Sequence, residues 1–293
     1  MPYQQTISMK AGRVYRLLLV LFFTSLYTHV ITANTIIYVK TVASGTADGS
    51  SWVDATTLTD ALNQANSSGT TCQLWVAAGT YLPTAEFDAD NSGGSDVREK
   101  TFYLANNMEI YGGFTGTETN VNQRNWTVHK TIFSGDIGVA QNAADNAYHV
   151  VFLDGTTANG ALDASCIIDG VYIQNGNASG SGIHAHGGGM LNDNASPTVE
   201  NTWFSNNVVD SHGGAVYNDG QSSKNASPTF ERCHFYENTA SSGGGVFNNG
   251  FSGISNANFV NCAFANNVDS SNGGAIFNMA QFGFSQLFSS TAP

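Results

Sequence analysis

An acidic segment at 88–99 has the residue types and spacing of a twelve-residue calcium-binding loop. The residues that would supply oxygen ligands, at loop positions 1, 3, 5, 9 and 12, are Asp88, Asp90, Ser92, Asp96 and Glu99. Gly93 stands at position 6, where such loops make a sharp turn. Because Ca²⁺ prefers clustered oxygen ligands, we predict Ca²⁺ as a cofactor of this segment. The alternative is a solvated acidic loop between strands, since Ser95 occupies a position usually given to an aliphatic residue.

Three histidines form a second candidate metal site. His184 and His186 are two residues apart, which predicts that they share one strand face, and His186 and His212 each directly precede a pair of glycines. If neighbouring repeats stack, these imidazoles could reach one transition-metal ion. The same repeat position continues as Ser242 and Asn272, so a generic polar turn position is the alternative.

Residues for polysaccharide cleavage are sparse in the repeats. A lyase acting on acidic polysaccharides needs clustered carboxylates that hold Ca²⁺ and an Arg or Lys that abstracts a proton. The cations between 166 and 278 are Lys224 and Arg232, and we expect no carboxylate column at matching positions in both coils that neighbour Arg232. The sequence therefore assigns no catalytic residue.

The elements that would position these residues recur about every thirty residues. A phrase of two small residues, two apolar residues and Asn occupies 188–192, 214–218, 244–248 and 274–278. A second phrase, Phe-x-x-Asn, occupies 204–207, 235–238 and 264–267. One period before Val199 and Phe204 stand Ile168 and Ile173. Such units cannot bury their own apolar faces, so we predict an all-β fold, a right-handed parallel β-helix of stacked coils.

The ends of the chain differ from the repeats. We predict a signal peptide at 1–33, since three basic residues precede an apolar run at 17–27 that is too short to span a bilayer. An N-terminal cap and irregular coils follow at 34–165, with a short amphipathic helix around Leu58 that would cover the open end of the first coil. Regular repeats fill 166–278. The segment 279–293 breaks the pattern, and we expect a truncated product there, a short cap being the alternative.

The overall charge of the chain argues against two classes of binding partner. The net charge of −12 argues against nucleic-acid partners and anionic membrane surfaces, because both require basic patches.

Cys233 and Cys262 stand at one repeat position, where stacked side chains lie outside ideal disulfide geometry. We therefore expect two small core residues there rather than a disulfide.

The two alternating phrases resemble the polymorphic outer-membrane protein repeat of surface-exposed β-helical proteins in Gram-negative bacteria, and 187–278 carry the resemblance. The segments 48–52, 75–81, 111–114, 123–126 and 134–137 are similar to the N-terminal half of bacterial surface proteins with a pectin-lyase-like fold. The resemblance implies a secreted or outer-membrane, cell-surface protein, often an adhesin.

These observations favour a non-catalytic adhesin or polysaccharide-binding protein. An Asn- and Ser-rich face with exposed aromatic residues such as Trp203 and Tyr236 would contact a polysaccharide or a host or neighbouring cell surface. The alternative is a polysaccharide lyase or glycoside hydrolase with its site at 70–160. A structural stalk without ligand is the third hypothesis.

Overall fold

A computed structural model describes residues 35–90, 92–93, 95–157, 160–280 and 288–290. The predicted signal peptide at 1–33 and most of the atypical segment at 279–293 lie outside the described residues.

The described residues are mostly β-strand. The strands before residue 160 are β1 Thr35–Val39, β2 Cys72–Ala77, β3 Gly79–Tyr81, β4 Phe102–Leu104, β5 Met108–Phe114, β6 Thr131–Ser134 and β7 Val151–Asp154. The strands from the next two repeats are β8 Ile167–Asp169, β9 Val171–Gln174, β10 Asn177–Ala178, β11 Met190–Asp193, β12 Thr198–Glu200, β13 Trp203–Ser205, β14 Val208–Val209 and β15 Val216–Asp219. The remaining strands are β16 Thr229–Glu231, β17 His234–Tyr236, β18 Thr239–Ser242, β19 Val246–Asn249, β20 Asn258–Val260, β21 Ala263–Ala265, β22 Val268–Asn272, β23 Ile276–Met279 and β24 Phe288–Ser290.

Helices are few. The described part of the chain contains one α-helix, α1 Leu58–Asn66, and four short 3₁₀ helices, η1 Val97–Glu99, η2 Val121–Gln123, η3 Ala143–Asp145 and η4 Gly182–Ala185.

The strands form four sheets in which all the paired strands run parallel. Their orders are β1-β2-β5-β8-β12-β16-β20-β24, β10-β14-β18-β22, β23-β19-β15-β11-β7-β4 and β21-β17-β13-β9-β6-β3. Neighbouring strands come from successive repeats in matching register: Val199 pairs with Ile168 on one side and Phe230 on the other. The predicted all-β class is confirmed at this level, with parallel sheets and the repeat-to-repeat partners that the thirty-residue period indicated.

The predicted amphipathic helix is confirmed as α1. Thr57 caps its N-terminus by accepting a hydrogen bond from the backbone N–H of Asp60 at 3.2 Å. One face, formed by Leu58, Ala61, Leu62 and Ala65, is buried. That face packs against β1, β2 and β4, the first strands of two sheets. The helix therefore extends the core at the end where those sheets begin.

Identical apolar positions of successive repeats stack inside the fold. The rings of Phe204, Phe235 and Phe264 lie parallel, with centroid separations of 5.0 and 4.5 Å. A second column joins Phe230 to Phe259 at 5.2 Å. Phe204, Phe230 and Phe235 are fully buried. This aromatic stacking supplies a large share of the buried apolar area in the regular repeats.

The asparagines of both phrases also point inward and form two hydrogen-bonded ladders. In the first, each side-chain Nδ2 donates to Oδ1 of the next repeat, through Asn192, Asn218, Asn248 and Asn278, at 2.6–2.7 Å. In the second, Asn207 donates to Asn238 at 2.9 Å and Asn238 to Asn267 at 3.0 Å. Asn192, Asn207, Asn218, Asn238 and Asn248 are fully buried. These motif asparagines hold the repeats together and do not contribute to an exposed ligand-binding face.

A left-handed turn precedes each asparagine of the second ladder. Asn206, Glu237 and Asn266 all have φ of 55°. Asparagine tolerates this conformation better than glutamate, which has no short polar group to bond the local backbone. We expect Glu237→Asn to stabilise the protein by up to about 1 kcal/mol in urea unfolding. The opposite substitution, Asn206→Glu, should lower the free energy of unfolding by a similar amount. Changes of the same sign in the two variants would contradict this explanation.

All four cysteines are free thiols. Cys72, Cys166 and Cys233 are buried, and Cys262 is half-buried beside Cys233. Burial and the neighbouring Cys262 raise the pKa of the Cys233 thiol. Cys233 and Cys262 accordingly occupy the core positions expected from their spacing.

Candidate functional site

A groove with a volume of about 520 Å³ lies on the outer face of the sheet that contains β11, β15 and β19. Strand alternation determines its floor, because Val216 and Asn218 point into the core while Tyr217 and Asp219 point outward. Leu191 and Tyr217 form the apolar floor. Polar side chains form both walls. A concave site with an apolar floor and a few polar groups is the usual form of a ligand-binding pocket.

Carboxylates stand in register along one wall of the groove. Asp193 pairs with Asp154 in the preceding strand and with Asp219 in the following strand. The ammonium of Lys224 bridges two of them, with its Nζ 2.6 Å from Asp193 Oδ1 and 3.3 Å from Asp219 Oδ2. The repeat register brings Asp154, Asp193 and Asp219 together. The repeat phrases did not predict this row, because Asp193 and Asp219 lie just beyond the motif asparagines.

Burial and hydrogen bonding shift the pKa values of the charged groups in this wall. Burial raises the pKa of Asp193, although the hydrogen bond from Lys224 opposes the shift. Burial would lower the pKa of Lys224, but the hydrogen bond to Asp193 and the charge of Asp219 outweigh it and raise that pKa. Lys224 is therefore held as an ammonium and cannot serve as a proton-abstracting base at neutral pH.

Histidine rings form the opposite wall. His186 stacks on His212 at 5.1 Å and on Tyr217 at 4.7 Å, and His212 stacks on Phe247 at 4.3 Å. Burial lowers the pKa of His186 to about 4 and also lowers that of His212. Both rings are therefore neutral at physiological pH. Their Nδ1 atoms are buried without a hydrogen-bond partner among the described residues.

The three-histidine site predicted from spacing is not formed. His184 lies in η4 rather than on a strand with His186, and its ring packs against Tyr148 at 4.6 Å. The 3₁₀ turn rotates the two imidazoles to different surroundings, so the premise that they share a strand face is wrong. His186 and His212 do meet, as the repeat register predicted.

Most of the predicted calcium ligands bond the loop's own backbone. Asp88 accepts the N–H groups of Ser92 and Gly93, both at 3.0 Å. Asp90 accepts the N–H of Ser92 through Oδ1 at 2.9 Å. Asp96 caps η1 by accepting the N–H of Arg98 and also accepts the hydroxyl of Tyr148, each at 2.9 Å. The carboxylates of Asp88 and Asp96 therefore organise the loop.

Asp90 and Glu99 meet a residue from the other predicted metal site. His184 Nε2 lies 3.3 Å from Glu99 Oε1 and 3.7 Å from Asp90 Oδ2, and one ligand atom of each residue lies within 4.8 Å of the others. Burial and the charge of Asp90 raise the pKa of Glu99, while burial lowers that of His184. Sequence reasoning missed this grouping, because 85 residues separate Glu99 from His184 and neither belongs to the repeat phrases.

A second row of carboxylates lies on the eight-stranded sheet. Asp169, Glu200 and Glu231 occupy successive register positions on the eight-stranded sheet. Arg232 contacts Glu231 and lies 2.6 Å from Glu200, and Arg124 pairs with Asp169. Val260 takes the position of Glu231 in the next repeat, so the column does not extend into both repeats that neighbour Arg232, as expected. Two arginines pair with the three carboxylates: Arg124 pairs with Asp169, both largely buried, and Arg232 is shared by the more exposed Glu200 and Glu231.

Trp203, one of the exposed aromatic residues, is stacked rather than free. Trp203 is 37% exposed, but its ring lies between Tyr172 at 5.9 Å and His234 at 4.1 Å. Sugars bind aromatic residues through the ring face, and the neighbouring rings cover the faces of Trp203. Its position therefore supports stacking along the sheet more than contact with a polysaccharide.

Comparisons with known proteins give little further guidance. No family model and no curated protein matches the chain. The solved structure of ORF18 from Geobacillus virus E2 is similar at 14% sequence identity, covering 87% of this chain and 60% of that chain, with a TM-score of 0.18. This chain thus spans less than two thirds of that protein, and so low a TM-score carries no argument. Among the described helices, none has the length and apolar character needed to cross a membrane.

Proposed function

We propose that the protein is an exported right-handed parallel β-helix that binds a neutral polysaccharide in the groove without cleaving it. Parallel pairing of each repeat with the next in four sheets supports the stacked-coil architecture. The basic and apolar N-terminal residues support export, and the repeat phrases support a place at the surface of a Gram-negative cell, as an adhesin of the polymorphic outer-membrane protein type.

The groove over Leu191 and Tyr217 is the observation that carries the proposal. Its apolar floor suits the C–H face of a sugar ring, and its walls offer carboxylate, ammonium, amide and imidazole groups to hydroxyls. The groove crosses neighbouring strands, so equivalent contacts recur at a spacing of about 4.8 Å. That spacing is close to the length of one sugar unit, which favours a chain-like ligand.

Charge selects the class of polysaccharide. Asp193 and Asp219 face a single cation, Lys224, and the neighbouring histidines are neutral. The groove therefore carries an excess negative charge, which opposes uronic acids and sulfated sugars. Neutral hydroxyls can donate to the carboxylates without such repulsion. We infer that a neutral polysaccharide binds better than an acidic one.

A binding assay tests this function directly. The purified protein should be retained by at least one member of a panel of neutral polysaccharides, with affinity rising with oligosaccharide length, and not by polygalacturonate or alginate. Asp193→Asn with Asp219→Asn should weaken binding at least about tenfold, since each change weakens charge-assisted hydrogen bonds to hydroxyls. Glu231→Gln, on the eight-stranded sheet, is the matched control and should bind normally. Equal loss in the control, or binding only to acidic chains, would refute the proposal.

A glycoside hydrolase is the second candidate, and the raised pKa of Asp193 beside Asp219 favours it. Such a pair can divide the roles of proton donor and of base or nucleophile. Incubation of the same neutral polysaccharides with the protein should release no reducing ends if the site only binds. Reducing ends that disappear in Asp193→Asn would establish the hydrolase instead.

A further inference from the structure

Three ligand atoms from distant segments converge beside the groove. Asp90 belongs to the loop before η1, Glu99 ends η1, and His184 lies in η4. Glu99 and His184 are nearly inaccessible, with 7% and 4% of their surface exposed. The Nε2 atom of His184 is buried and makes no hydrogen bond within the described residues. A buried imidazole nitrogen without a hydrogen bond, aimed at two carboxylates, requires an explanation.

The hydrogen bonds of His149 determine which nitrogen of His184 carries the proton. His149 Nδ1 lies 3.0 Å from the carbonyl oxygen of Gly187, which can only accept, so Nδ1 is protonated. In the neutral form of this buried imidazole, Nε2 then has no proton and accepts. His184 Nδ1, 3.4 Å away, must then donate to it. This leaves Nε2 of a neutral His184 with a lone pair that faces Glu99 and Asp90.

Three lone pairs facing one another repel unless a proton or a metal ion lies between them, and the distances fit a metal ion. Ligands held about 2.1 Å from a metal ion in tetrahedral geometry are about 3.4 Å apart. The distances from His184 Nε2 to Glu99 Oε1 and Asp90 Oδ2, 3.3 and 3.7 Å, bracket that value. The Asp90 side chain is one-third exposed, so a water molecule can reach a fourth position.

We propose that Asp90, Glu99 and His184 bind one divalent transition-metal ion, Zn²⁺ or Mn²⁺, which fastens the loop before η1 to η4. One imidazole and two carboxylates form a donor set that these ions accept, whereas Ca²⁺ prefers oxygen ligands throughout. The bond from His184 Nδ1 to His149 supplies the support that a metal-binding imidazole usually has on its other nitrogen. Two of the five ligands predicted for calcium thus belong to a different kind of metal site.

The ion would also shape the groove, a consequence that rests on the proposed function. Gly182 and Ile183 of η4, and His186 just after it, line the groove. Fixing η4 through His184 holds that wall in place. Metal content and melting temperature report the ion independently of any polysaccharide, so the two proposals can fail separately.

Metal titration of the full protein, purified without a polyhistidine tag and stripped with EDTA, tests the site. With ZnCl₂ or MnCl₂ we expect one ion per chain after dialysis, measured by mass spectrometry of the metal. The melting temperature should rise by about 5 °C or more when the free metal exceeds the Kd a hundredfold. Asp90→Asn and Glu99→Gln should each lower the affinity at least about tenfold.

Controls separate the site from incidental binding. Asp210→Asn, another exposed aspartate, should retain the metal and the full rise in melting temperature. Asp90→Asn changes a partly exposed residue, so it decides the question if Glu99→Gln fails to fold. Absence of bound metal, a response to CaCl₂ alone, or unchanged affinity in Asp90→Asn would overturn the proposal. If no metal binds and the metal-free Glu99→Gln variant melts higher than the wild type, a shared proton occupies the site instead.

Discussion

Asn238→Asp is expected to destabilise the protein by about 3–5 kcal/mol at pH 7, because it places an uncompensated charge inside the fold. The side chain of Asn238 is fully buried and makes four hydrogen bonds. Its Nδ2 donates to the carbonyl of Phe204 and to Asn267, and its Oδ1 accepts from the backbone and side chain of Asn207. A carboxylate still accepts the two hydrogen bonds from Asn207. Where the Nδ2 donor was, it places a second oxygen, which faces two acceptors, the carbonyl of Phe204 and Oδ1 of Asn267.

The loss should depend on pH with a definite sign. Burial and nearby acceptors raise the pKa of the new carboxyl in the folded state above its unfolded value of about 3.9. The variant is therefore least destabilised below pH 4, where the neutral acid supplies one donor, and loses stability as the pH rises. Urea unfolding at pH 3.5 and 7 measures this, with Asn238→Ala as the uncharged reference. A constant difference between the two variants would show that the charge is not buried.

Phe235→Ala should lower the free energy of unfolding by about 3–5 kcal/mol, the range for removing a buried aromatic ring from a core. Phe235 is fully buried, stacked between Phe204 and Phe264, and in edge contact with Phe230 and Phe259. Rigid strands on both sides hold these rings in place, so the space vacated by the ring cannot close. Each stacked neighbour loses one face.

The adjacent residue provides the control for that experiment. Tyr236 follows Phe235 on the same strand, points outward and is 36% exposed. Tyr236→Ala should change stability by less than about 0.5 kcal/mol in the same urea titration. If both variants lose similar stability, the stacked ring is not the source of the effect.

The period of the chain predicted the part of the fold that depends on repetition. Val199 and Phe204 were aligned with Ile168 and Ile173 by counting residues, and the strands pair in that register. The four apolar positions of α1 predicted its buried face for the same reason, since spacing alone places them together. Each repeat pairs with the next one in the same register, so the spacing within a single sequence is enough to predict the pairing.

The candidate sites depend on contacts that no period encodes. His184 meets Glu99 because η4 turns one imidazole away from the strand direction, and Phe87 covers the outer sheet by stacking on Tyr103 at 3.9 Å. These contacts join loops of irregular length, whose paths follow from packing rather than from spacing. Calcium binding by the 88–99 segment stays a prediction; its spacing did not indicate that Asp88 accepts the backbone N–H groups of Ser92 and Gly93.

The two asparagine ladders give the stack of repeats a dipole along its length. Strand dipoles largely cancel within a sheet, whereas every hydrogen bond between two ladder side chains runs from the Nδ2 of an earlier repeat to the Oδ1 of the next, so the dipoles of these bonds add. The first ladder begins at Asn192, whose Oδ1 has no hydrogen-bond partner among the described residues because Leu153 occupies the preceding position. A duplicated repeat carries its own ladder asparagine, so inserting it on either side of Asn192 would add one amide pair and leave a single unpaired Oδ1 at the first asparagine of the ladder. Tandem duplication can therefore lengthen this protein without adding an unpaired buried amide.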